Sequence, residues 1–122
     1  MNPDQERIAP VTAKVKLTWN TDERFFGPGI CQLLEGIRET GSIQAAAARM
    51  EMSYTKAWRI LNRAEREMGV HLIDRVSGGK KGGSSTLTEA GERAIRDFRE
   101  MEAKLSEAAN GLLKAYRATF ER

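Results

Sequence analysis

A mainly α-helical fold with a small β wing is the class this sequence predicts, on three observations. Between Ser42 and Gly69 two short amphipathic runs flank a tight turn. Between Leu72 and Leu87 two short apolar segments surround a tip of glycines and lysines, and from Thr88 an apolar heptad continues almost to the end of the chain. A helix pair, a hairpin and a long last helix together make a winged helix-turn-helix followed by a long C-terminal dimerisation helix.

The chain has 122 residues, enough for one domain with an appended element. Residues 1–10 read as a loose N-terminus, 11–87 as the winged helix-turn-helix domain and 88–122 as the long helix. Apolar residues make up 40% of the chain, which supports a modest core, and the 30% that are charged cover the surface. The net charge of +3, from 20 basic and 17 acidic residues, permits nucleic acid without demanding it, so the position of charge decides.

The elements follow in order. Val11, Ala13, Val15, Leu17 and Trp19 alternate with polar residues, the period-two pattern of a half-buried strand. Asn20 to Glu23 supply turn residues, so Arg24 to Phe26 can return as a partner strand. After Gly27, Pro28 and Gly29, a helix to about Thr40 has Ile30, Leu33, Leu34 and Ile37 as its inner stripe, with Cys31 expected as a buried free thiol. Gly36 inside that helix costs about 1 kcal/mol relative to alanine, which a close approach by another backbone would explain.

In the next helix Ile43, Ala46, Ala47 and Met50 form a narrow apolar stripe, answered in the following one by Ala57, Leu61, Ala64 and Met68. Alanine at the contact lets two helix axes cross closely. Ser42, Ser53 and Thr88 stand where N-caps belong, and Gly69 suits a left-handed C-cap. Leu72–Val76 and Ser85–Leu87 can be the strands of a wing, with Lys80 and Lys81 between four glycines at its tip. Gly78 and Gly83 have the separation of a phosphate-binding loop, but Ser84 stands where that motif needs lysine, and a strand follows instead of a helix.

In a helix-turn-helix the second helix enters the major groove N-terminus first, and its early outward side chains meet base edges and phosphates. Those side chains here are Ser53, Tyr54, Thr55, Lys56, Arg59 and Arg63, and from Met52 to Ala64 there are three cations and no acid. Lys80 and Lys81 should add largely sequence-independent affinity. Tyr54 and Trp58, one turn apart, either stack on the DNA edge or brace the first helix of the pair. Phe98, Met101, Leu105, Ala108 and Leu112 begin a seam that Ala115 and Thr119 continue, and a partner helix accounts for a rod longer than one small domain needs. A terminal helix folded back on its own domain is the alternative.

SYTKAW at Ser53–Trp58, GSI at Gly41–Ile43, GGKKGG in the wing and LTEAG at Leu87–Gly91 resemble the N-terminal domain of ModE-type molybdate-responsive regulators, over nearly the whole chain. The helix-turn-helix alone is also similar to LysR-type regulators. The resemblance implies a winged helix that dimerises on operator DNA, with molybdate bound by separate C-terminal domains. This chain stops short of such a domain, so no molybdate site is expected within it. One departure is Glu51, where the family's turn usually has glycine; a non-glycine residue in a left-handed conformation costs about 1 kcal/mol or more, and its carboxylate is expected to point away from DNA.

Catalysis finds little support. His71 is the only histidine, so no histidine cluster can hold zinc, and Cys31 has no evident base. Glu92 with Arg96 and Glu100 with Lys104 lie at the i, i+4 spacing of surface ion pairs. No enzyme, cofactor or metal is expected. The expected partner is double-stranded DNA, bound by a cytoplasmic homodimer with no membrane segment. A protein-interaction adaptor pairing with another regulator through its long helix is the rival reading.

Overall fold

The structure, a computed structural model, describes residues 10–76 and 84–119. A short hairpin comes first, β1 (Trp19–Asn20) with β2 (Arg24–Phe26), followed by three helices, α1 (Pro28–Thr40), α2 (Ile43–Arg49) and α3 (Tyr54–Met68). A second hairpin, β3 (Ile73–Val76) with β4 (Ser84–Leu87), precedes the long helix α4 (Glu89–Ala115) and a closing 3₁₀ turn (Arg117–Thr119). The chain is mainly helical with two small antiparallel hairpins, in agreement with the predicted class.

The core is built where the apolar stripes meet. Leu33, Leu34 and Ile37 of α1, Leu61 of α3, Leu72 before β3 and Phe98 of α4 are fully buried around Phe26. Trp19 stacks on Phe26 with ring centroids 4.7 Å apart and meets Phe98 edge-on at 5.4 Å, a geometry that adds to burial. The first turns of α4, through Gly91, Ala94, Ile95 and Phe98, thus belong to the same core as the helix pair. Cys31 is buried, and burial pushes its thiol up to about 11.

The predicted caps hold the helix ends. Ser42 accepts from the Ala45 N–H, Ser53 from Lys56 at 3.1 Å, and Thr88 from Gly91 at 3.0 Å. Gly41 and Gly69 close α1 and α3 in the left-handed conformation. Glu51 has φ of 54° in the turn between α2 and α3, the strained position that the sequence pointed to. Gly36 faces Ala46: a β-carbon added to it would lie 3.0 Å from the Ala46 methyl, so α1 and α2 cross with almost no space between them.

The expected strand from Val11 is corrected to two residues. β2 returns for only three residues before α1 begins, so no strand among the described residues is left for residues 11–18 to pair with. Ala13 instead meets the side chain of Asn110 on α4: its N–H donates to Oδ1 at 2.9 Å and its carbonyl accepts from Nδ2 at 3.2 Å. One carboxamide supplies what a neighbouring strand would have supplied. Val11 and Val15 stay about half exposed.

The wing strands run in register from Ile73 opposite Leu87 to Val76 opposite Ser84. β4 is fixed to the end of α1 by a hydrogen bond from Ser85 N–H to the Gly41 carbonyl at 2.8 Å. The predicted tip, with Lys80 and Lys81, lies outside the described residues. Of the two ion pairs expected on α4, Glu100 with Lys104 is present at 2.9 Å. Glu92 pairs instead with Arg38 of α1 at 3.0 Å, and Arg96 lies 3.7 Å from Asp97, because α1 brings a competing cation alongside the first turn of α4.

Candidate nucleic-acid interface

The outward face of α3 follows from where its inner face is buried. Ala57, Leu61 and Ala64 are fully enclosed, and at 3.6 residues per turn the opposite side falls on Thr55, Arg59, Asn62 and Arg66. All four are exposed. Arg59 has no ion-pair partner among the described residues, so its guanidinium is free to meet a ligand. Asn62 and Arg66 were missed in the sequence, although their spacing of seven and eleven from Thr55, opposite an apolar stripe, was the signal that marks them.

The first turn is built from groups partly occupied with each other. The Ser53 hydroxyl caps the helix through Lys56 N–H and keeps its own proton to donate. The Trp58 indole donates to the Tyr54 hydroxyl at 2.7 Å, and the Arg75 guanidinium lies over the Trp58 ring, 3.9 Å from its centroid. Tyr54, Trp58 and Arg75 thereby brace the start of α3 against the wing. Tyr54 is still 48% exposed, with a hydroxyl proton to offer.

Each flank of α3 is clamped. On the wing side the Glu65 carboxylate accepts from the Leu72 and Ile73 N–H groups at 2.8 and 3.3 Å and lies 3.5 Å from Arg75. On the hairpin side Arg63 donates to Glu23, and the Thr21 hydroxyl donates to Glu67 at 2.6 Å. The hydrogen bond from Arg63, and then its charge, holds the Glu23 carboxyl below its ordinary range and raises Arg63 in return. Arg63 is therefore committed to the hairpin, whereas Lys56 and Arg59 have no such partner among the described residues.

The residues predicted along α4 divide in two. Phe98 is fully buried in this chain's own core and is not available to a partner. Met101, Leu105 and Leu112 are exposed, and Tyr116 joins them at 66%; Ala108 is exposed between them. No helix among the described residues is long and apolar enough to cross a membrane, and none of those residues form a His, Cys, Asp and Glu group suited to a metal.

A helix pair that crosses at alanines, an exposed second helix and a hairpin directly after it define a winged helix-turn-helix protein. The sequence pattern described as "Bacterial regulatory helix-turn-helix protein, lysR family" matches residues 31–92, more than half of the chain, and the chain belongs to that family. It is 36% identical over 94 residues to "Molybdenum transport protein ModE" of Herbaspirillum seropedicae, covering 77% of this chain and 33% of that one. It is 31% identical over 102 residues to "DNA-binding transcriptional dual regulator ModE" of Escherichia coli (strain K12), covering 83% of this chain and 38% of that one. The chain thus spans little more than a third of the length of these relatives. Among solved structures it is similar to the CbnR DNA-binding domain in complex with DNA, with a TM-score of 0.52 and 26% identity, covering 76% of this chain and 97% of that one.

Proposed function

We propose that this chain is a sequence-specific DNA-binding transcriptional regulator that acts as a homodimer, with α3 in the major groove and the wing along the flanking backbone. The observation that carries the reading is the outer face of α3, where Thr55, Arg59, Asn62 and Arg66 stand exposed on a helix clamped on both flanks. A rigid helix presenting a guanidinium and a carboxamide suits base edges, since arginine pairs with guanine and asparagine with adenine in the major groove. Lys56, Lys80 and Lys81 supply charge for phosphates, and the Ser53 and Tyr54 hydroxyls have protons to donate to them.

Dimerisation rests on Met101, Leu105, Ala108 and Leu112, an apolar line on α4 that its own domain leaves exposed. The DNA and regulatory roles in the relatives' names fit the exposed face of α3. The molybdenum in their names is not carried over, because the matched stretch is only part of those chains.

The test is selection of binding sites from random duplexes by the purified protein. A homodimeric reader should enrich a two-fold-symmetric motif with half-sites about 10 base pairs apart or a multiple of that. Absence of any enriched motif, together with salt-insensitive binding and a heteromeric complex, would favour the adaptor reading.

A further inference from the structure

A groove of about 480 Å³ opens between the β1–β2 hairpin, the start of α1 and one flank of α3. Phe25 and Ile60 contribute its apolar floor, and Lys16, Arg24, Lys56 and Arg63 all line it. No carboxylate is among the described residues lining it, and the first turn of α1 adds none. Arg63 is engaged by Glu23, while Lys16, Arg24 and Lys56 have no ion pair among the described residues. Two cations from the N-terminal segment and one from α3 therefore line one surface in a chain whose net charge is only +3.

The groove is continuous with the reading face. Met52, Lys56, Ile60 and Arg63 border it at spacings of four, four and three, so it runs along α3, and Lys56 stands beside Thr55 and one turn from Arg59 at the edge of the outer face. Arg24 passes beside the start of α1: a β-carbon added to Gly27 would lie 3.8 Å from its Cδ and 3.5 Å from the Thr18 methyl. Above Gly29, by contrast, a β-carbon would meet nothing within 4 Å, which leaves the approach open.

The dimensions of DNA indicate the occupant. A helix with its side chains is about 10–12 Å across, and the major groove is about 12 Å wide, so a helix lying in it carries a phosphodiester backbone against each flank. We propose that the hairpin-side groove seats one of those backbones, with Lys16 and Arg24 contacting phosphates next to the one met by Lys56. The proposal rests on the DNA-binding reading above and enlarges its footprint to a hairpin ahead of the helix-turn-helix.

The experiment measures binding of the purified chain to a random-sequence duplex as a function of salt, for the wild type, the Lys16→Ala/Arg24→Ala double variant and a Lys104→Ala control. Both groove substitutions are at exposed positions, and an unchanged melting temperature verifies that the fold is kept. Each phosphate contact contributes about 0.9 to the slope of log K against log salt, so the double variant should lose about two from the slope and the control nothing. An unchanged slope in the double variant, with a steep one in the wild type, overturns the groove and leaves the DNA reading standing. A wild type with no salt-dependent binding overturns both. If inorganic phosphate at fixed ionic strength raises the melting temperature of the wild type but not of the double variant, and the DNA slopes are equal, the occupant is a free anion and the proposal fails.

Discussion

Gly91 and Gly111 lie in the same helix and should respond oppositely to alanine. A β-carbon on Gly91 would collide with the Leu72 carbonyl oxygen, whereas one on Gly111 would meet nothing within 4 Å. Gly91→Ala should therefore cost about 1–3 kcal/mol through overpacking, despite the better helix propensity of alanine. Gly111→Ala should stabilise by about 1 kcal/mol. Urea unfolding of the two variants measures both, and effects of equal sign would contradict the close approach at Leu72. Residues with local work were legible in the sequence: the caps at Ser42, Ser53 and Thr88, the turn at Glu51 and the small Gly36 each leave a mark within a few positions of their partners, or in their own cost. Asn110 leaves none, because its partner Ala13 is 97 residues away. Arg63 was read as a cation facing DNA, and its engagement by Glu23 was not legible because it depends on a hairpin that packs against α3 only in the folded chain.

At the scale of elements, α3 is rigid because it is held on both sides, and Glu65 is the heaviest single tie. Its side chain is only 10% exposed, and it satisfies the N–H of Leu72, a residue that is fully buried. Glu65→Ala strands that donor and should cost about 1–3 kcal/mol. Glu65→Gln keeps an accepting oxygen and should cost clearly less, as followed by chemical denaturation. Equal losses for the two variants would show that the charge near Arg75, rather than the acceptor, matters. The start of α4 was legible because apolar period and cap agree at Thr88, whereas α1 begins at Pro28, ahead of the predicted start and without a side-chain cap. The strand before Trp19 was not, since alternation records which side faces in but not whether a neighbour exists to pair with. Val11 and Val15 keep the alternation and remain exposed.

For the whole molecule, the exposed line from Met101 to Leu112 is where a second copy would pack. Leu112→Glu places a charge in that seam on a side chain that is 62% exposed in the single chain, so it should leave folding intact and convert a dimer into a monomer in size-exclusion chromatography with light scattering. A monomeric wild type would remove the seam from the dimer proposal. The general plan of a winged helix-turn-helix was legible because each part has its own sequence signal. The hairpin groove was not, because Lys16, Arg24 and Lys56 become neighbours only through tertiary packing.

The central claim is that the outer face of α3 reads base sequence, and Arg59 is the guanidinium on that face with no ion pair among the described residues, since Arg66 lies 3.9 Å from Glu67. The most direct measurement is the affinity of wild type and Arg59→Ala for a selected site and for random duplex at one salt concentration. Loss of a bidentate base contact is worth about 1–3 kcal/mol, so Arg59→Ala should bind the selected site about five- to 150-fold more weakly while its binding to random duplex changes little. An equal loss on both duplexes, or no loss on the selected site, would contradict the claim.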